Sequence, residues 1–297
     1  MNELTPPVCD YEGSDYQQSF WDSGTRAYED AVEAIALRRL LPPGGNFMLE
    51  LGAGAGRNTN RYHHYQRVAL LDYSRTQLEQ ARARLGASDR YLYVAADVYR
   101  LPFVAGLFDG ATMIRTLHHM AEPALALAQV HRVMRAEGVF ILEFANKRNL
   151  KAILRYVLGK QDWSPFKPEP VEFATLNFDF HPKTVQRDLT ALGFAINRTL
   201  TVSHFRVDAL KRLIPLCVLV GLDALLQWTG GVVQVSPSIF VRAQVKNQDQ
   251  TAEGGAIFQC PVCHTAIPGT EQDMVCGGCG AAWPYQDGIY DFRVPAE

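Results

Sequence analysis

Short apolar runs alternate with amphipathic stretches along the first half of this chain. Apolar runs of roughly four to eight residues are typical of buried strands, and apolar residues that recur every three to four positions are typical of helices. The predicted strands are 47–51, 68–72, 91–95, 109–114 and 139–144, and the predicted helices are 30–41, 75–85 and 123–134. Ser74 is placed to cap the second helix, and Pro123 stands at the start of the third.

The second half of the chain supplies two more predicted strands. A helix over 182–192 ends at Gly193, and strands over 194–202 and 238–245 complete a set of seven. Strands that alternate with helices form parallel sheets with right-handed crossovers, and ligands bind outside their carboxyl ends where the strand order reverses. The pattern predicts an α/β fold, with a Rossmann-like, seven-stranded, mostly parallel sheet and helices on both faces.

A glycine-alternating turn, LELGAGAGRNT over 49–59, follows the first predicted strand. Glycines at Gly52, Gly54 and Gly56 allow tight turning and let the backbone approach a ligand closely. Asp72 closes the second predicted strand, where a carboxylate can accept both hydroxyl hydrogens of a ribose. The combination predicts a nucleotide site.

The spacing of this turn bears on which nucleotide binds. A dinucleotide site has a third glycine where this chain has Arg57, and that glycine allows the helix to pack closely. The Glu50 carboxylate, two residues before the first glycine, would repel a pyrophosphate but suit an ammonium group. S-adenosylmethionine carries an amino group, a ribose and a sulfonium, so the pattern favours it over NAD.

Residues 46–145 resemble a class I S-adenosylmethionine-dependent methyltransferase of the type 11 or type 25 kind. The similarity rests on LELGAGAGRNT, LLDYS, VAADVYRLPF and FDGATMIRTLHHM in family order, followed by the segment that ends in EGVFILEF. The resemblance implies that Asp97 contacts the adenine amino group and that the Val98 amide serves a ring nitrogen. The predicted cofactor-binding residues are Glu50, Gly52, Ala53, Gly54, Gly56, Asn58, Asp72, Tyr73, Asp97, Val98 and Arg115.

Two stretches within 46–247, at about 150–180 and 205–235, are not required by the nucleotide fold. We interpret them as substrate-cap insertions, because the first is rich in aromatic residues that could line a cavity over the sulfonium. Apolar and aromatic walls suit a small aromatic or lipophilic acceptor. Packing of an inserted helix is the alternative interpretation.

The region 1–45 is expected to form a helical lid or cap. Its aromatic cluster consists of Tyr16, Phe20, Trp21 and Tyr28, with Arg26 among them. In the family that the chain resembles, such segments help to close over cofactor and substrate. A patch that only caps the core is the alternative.

His118 and His119 follow the fourth predicted strand, at the edge where the acceptor would lie. Methyl transfer from a sulfonium is an in-line displacement, so positioning supplies most of the acceleration. A phenol, hydroxyl or acidic carbon must also lose a proton, which a histidine can take. Both histidines are therefore candidate general bases, with a role in packing as the alternative.

The segment 210–228 contains the most apolar stretch of the chain. Its uninterrupted run is shorter than the roughly 20 residues needed to span a bilayer, and Pro215 and Asp223 interrupt the segment. We expect a buried cap helix and no transmembrane segment. A helix that makes transient membrane-surface contact beside Lys211 and Arg212 is the alternative.

Two C-x-x-C pairs near the end of the chain resemble a zinc ribbon over 256–297, after a polar linker at 248–255. The predicted metal ligands are Cys260, Cys263, Cys276 and Cys279. Four thiolates complete a closed tetrahedral site, so the zinc would be structural. Rubredoxin-like iron uses the same ligands, and two disulfides are the other alternative. Similar small zinc modules are fused to methyltransferases or partner them.

Charge and composition limit the function classes. The chain has 297 residues, of which 47% are hydrophobic, and a formal net charge of -2. This balance lacks the strongly basic character typical of nucleic-acid binding, so a small-molecule acceptor is favoured over ribosomal or transfer RNA. A protein partner could use the ribbon, and a catalytically silent binding module is a further alternative. The polar N-terminus does not resemble a secretory signal, which predicts a cytoplasmic protein.

Overall fold

The fold is described from a computed structural model, for residues 6–14, 26–246, 248, 255–268 and 272–295. The helices are α1 (Ala27–Leu40), α2 (Arg75–Leu85), α3 (Pro123–Val133), α4 (Leu150–Val157), α5 (Pro182–Ala191), α6 (Asp208–Leu213) and α7 (Leu216–Leu226). The first nine strands are β1 (Gly45–Leu51), β2 (Tyr65–Asp72), β3 (Tyr91–Ala95), β4 (Phe108–Met113), β5 (Met134–Ala145), β6 (Val171–Ala174), β7 (Asn177–Asp179), β8 (Phe194–Val202) and β9 (Ser238–Val245). The last six are β10 (Phe258–Gln259), β11 (Ala266–Ile267), β12 (Met274–Val275), β13 (Ala282–Trp283), β14 (Tyr285–Gln286) and β15 (Ile289–Asp291).

The seven predicted strands form one sheet in the order β3-β2-β1-β4-β5-β9-β8. All neighbouring pairs from β3 to β5 are parallel, and β9 is antiparallel to both β5 and β8. The strand order reverses between β1 and β4, which is where a ligand site is expected. The predicted Rossmann-like, mostly parallel fold is confirmed.

Side chains alternate between the two faces of this sheet, and helices cover both. Leu49 and Leu71 point to the face covered by α3 and α5. Met48 and Leu70 point to the opposite face, against α2. Helices α1 and α7 cover the neighbouring part of that second face. This arrangement leaves the carboxyl ends of the strands accessible between the helices.

The connection between β1 and β2 departs from the alternation of strand and helix. It holds the glycine-rich turn and a short 3₁₀ segment, Thr59–Tyr62. Tyr62 is buried under the sheet, where its hydroxyl accepts from Thr112 at 3.1 Å. Tyr62 therefore belongs to the core on the face of the sheet that α2 covers.

The C-terminal module, residues 255–268 and 272–295, is continuous with the large sheet. β15 pairs in parallel with β3, and β14 pairs with β15, so the sheet has nine strands. Phe258 stacks on Phe103, which precedes β4 in the chain, with 5.8 Å between ring centroids. Trp283 and Phe292 are buried in the same hydrophobic core. The predicted linker lies mostly outside the described residues.

The two stretches interpreted as caps form helices and a hairpin outside the large sheet. The first contributes α4 and the β6–β7 hairpin, and the second contributes α6 and α7. The buried cap helix expected over 210–228 is wrong for α7, because most of its apolar side chains are exposed. Among the described residues, no helix has both the length and the apolar character needed to cross a membrane.

The predicted N-terminal lid is covered only in part. Tyr16, Phe20 and Trp21 lie outside the described residues. Tyr28 lies in α1, buried, with its hydroxyl donating to Asp223 at 2.7 Å. It therefore packs against a cap helix rather than over a ligand cavity.

Candidate functional site

A cavity lies at the carboxyl ends of β1, β2 and β4, at the reversal of strand order. It is lined by eight of the predicted cofactor residues, namely Gly52, Ala53, Gly54, Asn58, Asp72, Tyr73, Val98 and Arg115. Glu50, Gly56 and Asp97 are not part of its wall. We call this space the cofactor cavity.

The glycine turn and Asp72 are joined by a backbone hydrogen bond across this cavity. The Gly54 amide donates to one oxygen of Asp72 at 2.8 Å, and the Ser74 amide donates to the other at 2.9 Å. Gly54 has a φ of +52°, and Gly52 has a φ of +64° with no room for a Cβ beside Thr116. The turn thus requires glycine for its conformation and for its close packing.

Burial raises the pKa of Asp72, although three backbone hydrogen bonds oppose that rise. Each carboxylate oxygen can accept more than one hydrogen bond. Of the roughly four acceptor positions of the carboxylate, three receive backbone donors, so Asp72 retains capacity for a hydroxyl donor at the cavity wall.

Glu50 lies behind the glycine turn instead of in the cavity. Its carboxylate accepts from the Thr59 hydroxyl at 2.6 Å and lies 3.5 Å from the Tyr62 hydroxyl. Burial raises the pKa of Glu50 to about 7. Glu50 therefore braces the turn from within and does not line this cavity, and its contact with an ammonium group stays a prediction.

Asp97 is buried and accepts a hydrogen bond from the Tyr99 amide at 2.9 Å. Its neighbours Ala96 and Val98 line the cofactor cavity. The acid therefore holds the turn that presents the Val98 backbone, and burial raises its pKa.

Arg115 stands where the cofactor cavity meets a second cavity. Its backbone has a φ of +56°, and its amide donates to Glu143 at 2.8 Å. The Arg115 guanidinium forms an ion pair with the buried Glu33 carboxylate. The Arg57 guanidinium lies 2.8 Å from the same carboxylate and forms a second ion pair. Burial alone would raise the pKa of Glu33, but the two guanidiniums hold it below its usual value.

An N-terminal segment covers the cofactor cavity with residues that sequence reasoning missed. Val8, Cys9 and Tyr11 contribute to its wall. The segment is held by Glu12, which accepts from the amides of Arg75 and Thr76 at 2.9 and 3.0 Å. An acid that caps α2 from more than 60 residues away leaves no local signal in the sequence.

The second cavity, which we call the acceptor cavity, has a volume of about 1070 Å³. It is bounded by both cap stretches, and it shares Tyr11, Arg115 and His119 with the cofactor cavity. Its wall also includes His118. The structure therefore brings both predicted histidines to the space beside the cofactor cavity.

The two histidines differ in their surroundings. His119 Nδ1 lies 3.0 Å from the Leu176 carbonyl oxygen, and its Nε2 lies 3.2 Å from the Tyr11 hydroxyl. A carbonyl only accepts, so Nδ1 carries the hydrogen and Nε2 is the basic nitrogen. Burial lowers the pKa of His119 and lowers that of His118 well below its usual value.

Further titratable groups of the acceptor cavity were missed from the sequence. Glu143 accepts from the Ser238 hydroxyl, and burial raises its pKa. Burial also raises the pKa of Asp179 to about 6. His204 enters the wall from the loop after β8, with its Nδ1 3.0 Å from buried Asp223. These residues are scattered along the chain, so only the fold assembles them.

The four predicted metal ligands converge in the C-terminal module. Their sulfur atoms all lie within 4.8 Å of one another, with 3.3 Å between Cys263 and Cys276 and 3.7 Å between Cys260 and Cys279. Each pair sits on a tight turn. The first turn ends at His264 with a φ of +62°, and the second ends at Gly280 with a φ of +76°.

Comparison with known proteins matches residues 49–142 to the methyltransferase domain model. An O-methyltransferase of Penicillium expansum is 28% identical over 45% of this chain and 52% of its own length. A demethylmenaquinone methyltransferase of Clavibacter sepedonicus is 34% identical over 36% of this chain and 45% of its own length. The chain thus spans about half the length of these relatives.

A solved S-adenosylmethionine-dependent methyltransferase from Mesorhizobium loti superposes with a TM-score of 0.51 at 22% identity, covering 73% of this chain and 99% of that one. This likeness concerns the fold. The matched region, residues 49–142, runs from the last residues of β1 through the glycine turn and β2 to β4 to most of β5. Residues 49–142 therefore match a methyltransferase domain, and the chain has the same fold as this solved structure.

Proposed function

We propose that this chain transfers a methyl group from S-adenosylmethionine to a small aromatic or lipophilic acceptor. The observation that carries the proposal is the meeting of two cavities at Tyr11, Arg115 and His119. One cavity has the glycine turn and the ribose-binding acid. The other is bounded by the cap stretches, whose wall contains leucines and Phe173 as well as charged side chains, and it is large enough for a small molecule.

The cofactor would lie along the carboxyl ends of β1, β2 and β4. A ribose hydroxyl would donate to Asp72, and its adenine would lie beside Val98, with Asp97 fixing that turn. Gly52, Ala53, Gly54, Asn58 and Tyr73 would line the remaining path. Glu50 and Gly56 would act indirectly, by shaping the turn from behind.

The acceptor would approach the methyl group at the junction of the two cavities. Displacement at a sulfonium needs a nucleophile in line with the methyl carbon and sulfur, so the walls act mainly by positioning. A hydroxyl acceptor would take the place of the Tyr11 hydroxyl at His119 Nε2 and lose its proton there. His118 would complete the wall as the second candidate base.

The four cysteines would hold a structural Zn²⁺. A tetrahedral site with Zn–S bonds near 2.3 Å has sulfur atoms about 3.8 Å apart, close to the separation of Cys260 and Cys279. Four thiolates leave no open position for catalysis. The metal would instead fix the turns that present β14 and β15 to the sheet edge.

Two measurements test this function. Titration calorimetry should detect S-adenosylmethionine and its demethylated product, with no heat from NADH. Labelled cofactor incubated with a cell extract should then deliver label to the small-molecule fraction. Label in RNA or protein would show that the acceptor is that macromolecule and not a small molecule. Absence of cofactor binding would overturn the methyltransferase function itself. The cytoplasmic location and a protein partner at the ribbon stay predictions.

A further inference from the structure

Helix α7 buries its one polar side chain, Asp223, together with Leu219, and exposes most of its other apolar residues. Asp223 and Gln227, which follows the helix, are both 0% exposed. Asp223 accepts from Tyr28 and from His204, and the Gln227 amide donates to the Val32 carbonyl at 3.0 Å. The polar side of α7 is therefore fixed against α1 and the loop after β8.

The opposite side of α7 consists of leucines in contact with solvent. Leu225 is 72% exposed, and Leu213, just before the helix, is 81% exposed. Leu216, Leu222, Leu226 and Trp228 are also exposed. A helix in water normally buries its apolar face and exposes its polar one, and α7 does the reverse.

Helix α4 repeats this arrangement on the other side of the acceptor cavity. Its apolar residues Leu150, Leu154 and Val157 have the spacing of one helical face, yet all three are exposed. Ala152 is the residue of α4 that is buried, and every residue of this helix is described. We call Leu150, Leu154, Leu158, Leu222, Leu225 and Leu226 the leucine rim.

Part of the leucine rim borders the acceptor cavity, among basic side chains. Leu150, Leu154, Leu158 and Leu226 belong to the cavity wall. Exposed Lys151, Arg155 and Lys160 belong to it too, and the sequence from 150 to 161 contains no acidic residue. Exposed Arg212 adds a charge before α7, where Asp208 is the nearby exposed acid.

We propose that the leucine rim docks on an anionic bilayer surface, so that a lipophilic acceptor enters the cavity from the membrane. Exposed leucines flanked by lysine and arginine match an interface of acyl chains and anionic headgroups. The part of this inference that concerns the acceptor rests on the proposed methyltransferase function. The docking itself depends only on the rim.

The test is sedimentation of the full chain with sucrose-loaded vesicles. We expect it to bind phosphatidylcholine–phosphatidylglycerol vesicles and to bind pure phosphatidylcholine vesicles much more weakly. The Leu222→Glu/Leu225→Glu variant should bind the anionic vesicles at least about tenfold more weakly than wild type, because it places charge in the apolar layer. Leu125→Glu, at an exposed leucine of α3, is the matched control and should bind like wild type.

A second variant, Lys151→Ala/Arg155→Ala, tests the charge and changes no leucine. It should lose about 25-fold in binding to anionic vesicles, since each of the two basic residues near such a surface is worth about fivefold. Equal sedimentation of wild type and both variants, or absence of wild type from the anionic pellet, would overturn the proposal. A concentration-dependent dimer that the leucine variant disrupts, without vesicle binding, would assign the rim to a second copy instead.

Calorimetry with S-adenosylmethionine on the same preparations separates this inference from the proposed function. Cofactor binding without vesicle binding would remove only the membrane surface. Vesicle binding without cofactor binding would keep the surface and overturn the methyltransferase function. Wild-type cofactor affinity in the variants would also show that they are folded.

Discussion

The Arg293 guanidinium lies 3.0 Å from the Glu12 carboxylate, and this ion pair joins segments that are 281 residues apart. Arg293 belongs to the C-terminal module and also donates to the Tyr73 carbonyl at 3.3 Å. Glu12 belongs to the segment that covers the cofactor cavity. The module therefore contacts both the cover and one wall of that cavity.

We predict that Arg293→Ala weakens binding of S-adenosylmethionine about two- to fivefold. The pair is partly exposed, so its loss is worth at most about 1 kcal/mol, and the loss acts on the segment that closes the cavity. Titration calorimetry measures the change. Arg187→Ala, which removes an exposed ion pair far from the cofactor cavity, should leave the affinity unchanged.

Glu12→Gln is the matched change on the other side of this pair. If the two residues act through each other, the cofactor affinity of the double variant should be no lower than that of the single variant with the lower affinity. Fully additive losses would contradict that coupling and assign the Arg293 effect to Tyr73 alone.

Removal of one cysteine ligand should loosen the module from the sheet. We predict that Cys276→Ser lowers the zinc content and lowers the melting temperature by about 5 °C or more, since the module shares the main core. The fluorescence of buried Trp283 should shift to the red, and a Trp283→Phe background identifies that signal. Cys217→Ser, at an exposed cysteine, is the control.

Metal analysis of the wild-type protein decides between zinc, iron and disulfides. An unchanged melting temperature after chelation, with the metal shown to be gone, would contradict the bracing role of the site.

The strands and the cysteine cluster could be predicted because their signals are local. Apolar runs gave all seven strands of the predicted sheet, and the spacing of two C-x-x-C pairs identified four sulfurs that meet in space. The covering role of Tyr11 and the pairing of β15 with β3 depend on contacts between distant segments. Periodicity within a segment carries no information about such contacts.

Glu50 and α7 show a second limit of sequence reasoning. Position relative to the glycine turn suggested a direct ligand contact for Glu50, whereas its side chain points to Thr59 and Tyr62. An apolar segment suggested a buried helix for α7, whereas Leu219 and Asp223 are the buried side chains of that helix. For Asp223 the hydrogen-bonding partner is Tyr28, 195 residues away, and no local pattern indicates that contact.

Glu50 should make stability depend on pH. Its pKa rises from 4.5 in the unfolded chain to about 7 on folding, so the folded state binds the proton more tightly. Its contribution is therefore most favourable below about pH 4.5 and declines as the pH rises to about 7. We predict that Glu50→Gln raises the free energy of unfolding by about 1–3 kcal/mol at pH 8, and much less at pH 4.5.

Denaturant unfolding of the cofactor-free protein at several pH values measures this difference. Glu79→Gln, at a half-exposed helical position, should shift the unfolding free energy little at any pH. If the free energy of unfolding of Glu50→Gln runs parallel to that of wild type from pH 4.5 to 8, Glu50 has the same pKa in the folded and unfolded states.

The proton acceptor of the reaction can be assigned once the labelled-methyl experiment supplies a hydroxyl acceptor. We predict that His119→Asn lowers kcat/KM by about 10²- to 10⁴-fold, the usual contribution of a general base, while cofactor affinity stays near wild type. His118→Asn should cost less, because burial lowers the His118 pKa well below its usual value and makes its imidazole a weak base. Tyr11→Phe should leave most of the rate, since an acceptor hydroxyl replaces the Tyr11 hydroxyl at Nε2.

The pH profile separates His119 from Asp179, another titratable group of the acceptor cavity. Burial lowers the pKa of His119, so the acidic limb of kcat/KM should lie below pH 6.5 in wild type and vanish in His119→Asn. Asp179→Asn removes a carboxyl whose pKa is about 6, and it should keep the limb if His119 is the base. A limb that disappears in Asp179→Asn and persists in His119→Asn would transfer the role to the carboxylate.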